Sequence, residues 1–168
     1  MVFVTFLIRA RVSARDSSHT MIGVISDTHG LLRPEALEAL RGASHILHAG
    51  DIGDIDILEA LRQIAPVTAI RGNIDTSGPT AQLPATEAIE LDGRLIYMLH
   101  SLADLDLRPE AASIAVVIYG HSHKPAVEER KGVLYLNPGS AGPRRFKLPI
   151  SVAHLYLDGT PRAQIVEL

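Results

Sequence analysis

Acidic, imidazole and amide side chains recur in this sequence where short apolar runs give way to glycine-containing segments. Five segments carry them: Asp27-Thr28-His29-Gly30, Gly50-Asp51, Gly72-Asn73, His100 and Gly120-His121-Ser122-His123. Carboxylate oxygen and imidazole nitrogen, without sulfur, are suitable donors for divalent Mn, Fe, Zn and similar ions. Two neighbouring ions need a carboxylate that bridges them, and Asp51 is the natural candidate. These residue types therefore predict a site for two divalent metal ions.

The spacing within the segments predicts how the side chains project. Asp27 and His29 are two residues apart, as are His121 and His123. On an extended loop this spacing would place both members of each pair on the same side. Other polar residues are predicted to have supporting roles. Asp54 and Asp75 are expected to cap loops, and Asp56 is expected to be the N-cap of a helix near residue 57. His48 is predicted either to have a structural role or to orient a ligand.

Predicted strands and helices alternate in the first half of the chain, and these elements must position the polar side chains. Apolar runs predict strands over residues 22–25, 45–47 and 67–70, and helical spacing predicts helices over 34–40 and 55–64. This βαβαβ order predicts a parallel sheet. The carboxyl ends of parallel strands form the ligand crevice of such sheets, so the polar segments should meet at one rim.

Strand pairs dominate after residue 85. Hairpins are predicted around Asp92-Gly93, Lys131-Gly132 and Asp158-Gly159, and a further buried strand over residues 115–119. The sum predicts an α/β fold of two packed mixed β-sheets flanked by helices.

Composition limits the function classes. The chain has 168 residues, no cysteine and a net charge of -3. The absence of cysteine removes disulfides and zinc–thiolate sites and favours a cytoplasmic location. The acidic balance argues against stable binding of nucleic acid.

Residues 1–20 are expected to be a poorly ordered extension outside a single domain over 21–168, with an edge strand over 2–8 as the alternative. The apolar run there is too short to span a membrane.

Taken in order, the five segments resemble the signature of the calcineurin-like metallophosphoesterase superfamily. The short length and Asn137-Pro138-Gly139-Ser140 resemble its small YfcE/MJ0936-type phosphodiesterases. The resemblance implies an α/β/β/α sandwich and hydrolysis by a water or hydroxide held between two metal ions, with Mn as the first choice and Fe, Zn, Ni or Co as alternatives. It implies a small phosphorylated substrate, and exposed hairpin strands would permit a homodimer.

The resemblance also assigns roles to individual residues. One ion would be bound by Asp27, His29, Asp51 and His123, and the other by Asp51, Asn73, His100 and His121. Asp51, Asn73 and His100 would be catalytic. Arg144 is predicted either to contact the substrate phosphate or to lie on a solvated loop.

One position departs from the pattern of the superfamily. Many members carry histidine after Gly-Asn, where it is thought to assist the leaving group, and this chain has Ile74. The departure predicts a preference for activated leaving groups. It also leaves open an alternative function, since the retromer's phosphoesterase-like subunit has a similar fold and acts as a scaffold for protein partners. All seven implied ligands are present in this sequence, which favours the enzyme.

Overall fold

Two five-stranded sheets form the frame of the domain in the computed structural model, which describes residues 20–168. The first sheet has the order β10-β9-β1-β2-β3 and the second β4-β5-β6-β8-β7. The strands are β1 Met21–Ile25, β2 His45–His48, β3 Val67–Ala69, β4 Thr86–Leu91, β5 Arg94–Leu99, β6 Ile114–Ile118, β7 Ala126–Arg130, β8 Val133–Asn137, β9 Ser151–Tyr156 and β10 Arg162–Glu167. The helices are α1 Pro34–Ala39 and α2 Ile55–Arg62.

The predicted fold class is confirmed, since both sheets are mixed. Strands β1, β2 and β3 run parallel, as do β5, β6 and β8, whereas the pairs β4/β5, β7/β8, β9/β10 and β1/β9 are antiparallel. The predicted extension over residues 1–20 lies outside the described residues except for Thr20, and it stays a prediction.

A buried apolar layer joins the two sheets. Val24 and Leu47 of the first sheet pack in one cluster with Met98, Ile118 and Leu136 of the second. These side chains alternate along their strands with residues that face outward, which is the pattern of a sheet buried on one face. The two sheets are therefore held face to face by apolar contact.

The outer faces of the sheets are covered differently. Leu58 and Leu61 of α2, and Leu40 at the C-cap of α1, are buried against the first sheet in a cluster with Ile25 and Ile46. The outer face of the second sheet packs against residues that include Leu102, Leu105 and Leu107, which lie in and after a short 3₁₀ turn over Leu102–Asp104. Within residues 20–168, no helix combines the length and the apolar character needed to cross a membrane.

The strand registers align the carboxyl ends of the parallel strands, from which the loops of the candidate site begin. Ile25 pairs with His48, and His48 pairs with Ala69, so β1, β2 and β3 end side by side. Met98 pairs with Ile118, and Ile118 with Leu136, so β5, β6 and β8 do the same in the second sheet. The loops that follow these strands therefore meet along one edge of the sandwich.

Candidate metal centre

Backbone hydrogen bonds carry the sheet ladder into the loops that hold the polar residues. The Asp27 N–H donates to the Gly50 carbonyl at 3.0 Å, and the His29 N–H donates to the Asp51 carbonyl at 2.9 Å. In the second sheet, the Gly120 N–H donates to the His100 carbonyl at 2.9 Å. The loops are thus fixed relative to one another although they lie beyond the strand ends.

One group of donors gathers around Asp27. Its Oδ1 atom lies 3.2 Å from His123 Nε2 and 3.8 Å from His29 Nε2, and the two imidazole nitrogens are 3.2 Å apart. Asp27 is fully buried and His123 is nearly so. These three side chains can therefore offer their donor atoms to a single ion.

Asp51 joins this group to a second one. Its Oδ2 atom lies 3.6 Å from His29 Nε2 and 3.3 Å from His100 Nε2. The Asn73 Oδ1 atom then lies 3.1 Å from His100 Nε2 and 3.0 Å from His121 Nδ1. The structure therefore brings all seven predicted ligands together, with Asp51 between the two groups. Their individual assignment to two ions stays a prediction.

Each of the two carboxylates is oriented by protein groups on one oxygen and faces the cluster with the other. Asp27 Oδ2 accepts hydrogen bonds from Ser26 Oγ at 2.6 Å and from the His121 N–H at 3.1 Å. Asp51 Oδ1 accepts one from the Ile74 N–H at 3.1 Å. Asp27 Oδ1 and Asp51 Oδ2 are left to face the imidazoles.

Two glycines are required beside these carboxylates. A Cβ atom at Gly72 would lie 2.1 Å from Asp51 Oδ1, and one at Gly120 would lie 2.6 Å from Asp27 Oδ2. Both distances are far below van der Waals contact. Any larger residue would therefore displace the carboxylate.

The hydrogen bonding of His100 fixes which ring nitrogen can bind a metal. Its Nδ1 lies 2.7 Å from the Ala49 carbonyl oxygen, which can only accept, so Nδ1 carries the proton. The lone pair of Nε2 then faces Asp51 and Asn73. A backbone carbonyl that orients the other nitrogen is a recurrent feature of metal-binding histidines.

The donor set fits divalent metal ions. Asp27 Oδ1 is a buried atom without a hydrogen-bond partner among the described residues, although it lies at the centre of its group. Several lone pairs converge on the same small volume, which is unfavourable unless a cation lies between them. The donors are oxygen and nitrogen only, as for Mn, Fe, Zn, Ni or Co.

Electrostatics keep both carboxylates ionised. Burial favours the neutral acid at Asp27 and Asp51, but neighbouring groups outweigh it. The pKa of Asp27 is lowered chiefly by His29 and Ser26, and that of Asp51 by His100 and the Ile74 N–H. Burial opposes protonation of His100, yet the Asp51 carboxylate raises the pKa of this imidazole. The pKa of His123 is lowered mainly by burial.

The prediction of extended loops was wrong. Asp27 and His29 have φ values of 55° and 47°, and His121 and His123 have 68° and 59°. These are left-handed conformations, which non-glycine residues seldom adopt. Asp51 shares this conformation, with φ of 53°. The side chains converge because the loops turn sharply at the ligands, and strain of this kind persists only where the surroundings enforce it.

Asp75 is the main support of the loops and is only 3% exposed. Its carboxylate accepts hydrogen bonds from the Ile52 N–H at 3.1 Å, the Gly53 N–H at 2.9 Å and the Gly72 N–H at 2.8 Å. It therefore ties the loop after β2 to the loop after β3, as its predicted capping role requires. Sequence reasoning gave no sign of three partners.

Three further polar residues complete the support. The N-cap of α2 is Asp54, whose side chain accepts a hydrogen bond from the Asp56 N–H at 3.0 Å. The prediction that Asp56 is the N-cap was therefore wrong by two residues. Ser26, directly before the first predicted ligand, holds the Asp27 carboxylate through its hydroxyl group. Ser140 Oγ donates to the Asp27 carbonyl at 2.9 Å, so the segment Asn137-Pro138-Gly139-Ser140 lies beside the site.

Arg144 lies on an exposed loop, and its Nη1 donates to the Leu148 carbonyl at 3.2 Å. The positive charge that contributes to lowering the pKa of His123 comes from the next residue, Arg145. A phosphate contact by Arg144 stays a prediction.

Comparison with known proteins agrees with this geometry. Residues 21–160 match the model of the calcineurin-like phosphoesterase superfamily domain. A probable metallophosphoesterase of Methanothermobacter thermautotrophicus is 36% identical over an alignment of 154 positions that covers 83% of this chain and 87% of that protein. The phosphodiesterase YfcE of Escherichia coli is 29% identical over an alignment of 139 positions that covers 68% of this chain and 76% of that protein.

Solved structures share the fold at lower identity. Vacuolar protein sorting 29 of Cryptosporidium parvum superposes with a TM-score of 0.70 at 19% identity, covering 89% of this chain and 98% of that one. At this identity the likeness concerns the fold alone. The family model, the relatives and the converging donors together lead to one conclusion: the chain belongs to the calcineurin-like phosphoesterase superfamily.

Proposed function

We propose that this protein is a cytoplasmic phosphodiesterase that depends on two divalent metal ions, with Mn as the first choice. The observation that carries the proposal is the position of Asp51 Oδ2, 3.6 Å from His29 Nε2 and 3.3 Å from His100 Nε2. One carboxylate oxygen between two imidazole groups is the arrangement that a shared ligand of two ions requires. The relative named as a phosphodiesterase supports the choice of a diester.

The residues would divide between the ions as the family resemblance implies. Asp27, His29, Asp51 and His123 would hold one ion, and Asp51, Asn73, His100 and His121 the other. When bound, the ions supply an acidic water and Lewis acidity toward the phosphoryl oxygens. The chain itself contributes the orientation of Asp51 and His100, with the Ile74 N–H and the Ala49 carbonyl holding them in place.

No proton donor stands at position 74 to assist the leaving group. Ile74 is 40% exposed and lies directly after Asn73 at the edge of the donor cluster. Its side chain cannot donate a proton, so departure of the ester oxygen depends on the stability of that oxygen as an anion. The proposed enzyme therefore acts on activated esters faster than on ordinary alkyl esters.

The alternative of a catalytically weak scaffold predicts a different result in the same assay. Metal-free protein is restored with each of Mn, Fe, Zn, Ni and Co, its metal content is measured, and bis-p-nitrophenyl phosphate, p-nitrophenyl phosphate and single-stranded DNA are compared. The proposal expects metal-dependent turnover that is fastest on the diester and no degradation of DNA. Absence of turnover with every ion, despite full metal loading, would favour the scaffold.

The phosphate contact proposed for Arg144 has its own test. Arg144→Ala and Arg145→Ala are compared for KM on bis-p-nitrophenyl phosphate. A rise in KM for Arg144→Ala alone supports the predicted contact. A rise for Arg145→Ala alone assigns it to the neighbour instead.

A further inference from the structure

A cavity of about 450 Å³ opens beside one half of the donor cluster. Asn73, His100 and His121 form one of its walls. Its remaining lining comes from Arg71, Gly72, Ala85, Thr86, Leu99, Ser101 and Asp104. This volume is in the range of pockets that bind small organic molecules, and it is much larger than a phosphoryl group needs.

The lining of the cavity is both apolar and polar. Leu99 is 2% exposed and, with Ala85, gives the cavity an apolar surface. The hydroxyl groups of Thr86 and Ser101 add donors and acceptors. A simple alkyl chain would leave these polar groups without partners, whereas a ring with hydrogen-bonding substituents can use both kinds of surface.

Two opposite charges stand on the cavity wall. Arg71 is held by its own segment, since its Nη1 donates to the Leu83 carbonyl at 2.9 Å. A guanidinium plane fixed in this way can lie against a ring. Asp104 supplies a carboxylate that accepts from hydroxyl or ring N–H groups and repels a second phosphate. With one charge of each sign, the two side chains give the wall no net charge, which suits an uncharged group.

We infer that this cavity binds the organic ester group of the substrate, and that this group is a neutral ring with hydrogen-bonding substituents, as in a nucleoside or a sugar. The inference deepens the proposed function and rests on it, because a phosphate at His100 and Asn73 would direct one of its ester groups into the cavity. The cavity then determines which diesters are preferred.

Binding of monoesters to the metal-loaded protein tests the inference through affinity rather than through rate. Isothermal titration calorimetry compares uridine 5′-monophosphate, ribose 5-phosphate and methyl phosphate on wild type, on Ala85→Trp and on Ala88→Trp. Ala85 lines the cavity, whereas Ala88 is an exposed residue of the same strand region that does not line it. Ala88→Trp is therefore the matched control.

The expected result is a selective loss. Wild type and Ala88→Trp should bind at least one ring-bearing phosphate about tenfold or more tightly than methyl phosphate. Ala85→Trp should remove this difference and leave the affinity for methyl phosphate unchanged within about twofold. Equal tight binding of ribose 5-phosphate and uridine 5′-monophosphate assigns the cavity to a sugar, and preference for the latter assigns it to a nucleoside.

Two outcomes would overturn the inference. One is equal affinity of wild type for all three phosphates, and the other is the same loss in both tryptophan variants. Amide chemical shifts of Thr86 and Asp104 in Zn-loaded wild type, which should move with the ring-bearing phosphates and not with methyl phosphate, give a second measurement if Ala85→Trp does not fold. Selective binding without hydrolysis of any diester would refute the proposed function and leave the cavity assignment standing.

Discussion

His48 should make the stability of this protein strongly dependent on pH. Its ring is fully buried at the end of β2, with Nε2 3.0 Å from Thr28 Oγ1 and Nδ1 accepting from the Gly50 N–H at 3.2 Å. Because Nδ1 already accepts a hydrogen bond, the neutral ring carries its proton on Nε2. A second proton would have to point at the Gly50 N–H. Burial lowers the pKa of His48 to about 4, and the nearby Asp27 and Asp75 carboxylates offset this only in part.

The magnitude follows from the linkage between protonation and folding. The unfolded chain takes up a proton at His48 near its ordinary pKa of about 6.5, whereas the folded chain does so only near 4. Between these values the unfolded state binds more protons, so the free energy of unfolding falls as the pH falls. At pH 4.5 the folded state should have lost about 2.5 kcal/mol relative to pH 7 through this residue alone.

A His48→Gln variant isolates the effect. Glutamine keeps one acceptor and one donor at a similar separation but does not titrate. Urea denaturation of metal-free wild type and variant at pH 7.0 and 4.5 gives the four free energies needed. The variant should lose about 2 to 3 kcal/mol less than wild type between the two pH values. An equal loss in both proteins, or an NMR titration of the His48 ring with a midpoint near 6.5, would refute this reasoning.

Three further predictions concern the loops, the rim and the shared ligand. Asp75→Ala leaves three N–H groups without their acceptor, one buried and two partly buried, and should lower the free energy of unfolding by about 3 kcal/mol in urea, while Asp56→Ala at an exposed position should change it by about 0.5 kcal/mol or less. The rate of diester hydrolysis should fall steeply as the pKa of the leaving group rises, and Ile74→His should weaken this dependence; a flat dependence in wild type would contradict the role given to position 74. Asp51→Asn should reduce the bound metal from two ions to at most one by elemental analysis, and unchanged metal content would show that Asp51 does not bridge.

The positions of the donors along the chain were predictable because strand order determines where they meet. Polar residues directly after predicted parallel strands must share an edge, and Asp27, Asp51 and Asn73 do so in the first sheet. His100 and the loop after β6 were placed by the same rule in the second sheet. Hydrophobic patterning therefore predicted the frame of the site.

The local geometry of the site was not predictable from the residues. Left-handed φ angles are usually associated with glycine, so nothing in the sequence marks them at Asp27 or His123. The three hydrogen bonds to Asp75 depend on where two separate loops approach one another, and this is decided by tertiary packing. The cavity beside His100 likewise combines residues 71–73, 85–86, 99–101, 104 and 121, which no local pattern connects.

The candidate metal centre is a property of the contact between the two sheets rather than of either sheet alone. Asp27 and Asp51 follow strands of the first sheet, whereas His100 and His123 follow strands of the second, so neither sheet carries a complete donor group. Direct bonds cross this boundary, from the His121 N–H to Asp27 Oδ2 and between His100 Nδ1 and the Ala49 carbonyl.

The packing of the apolar layer between the sheets therefore determines the distances between the donor atoms of one sheet and those of the other. A close-packed core has few alternative arrangements, so a shift of one sheet against the other would require many side chains such as Met98 and Leu47 to repack at once. The glycines at 72 and 120 allow the loops to approach as closely as this packing demands. Substitutions in this layer, though far from the donors in sequence, act on the metal centre through the separation of Asp27 and Asp51 from His100 and His123.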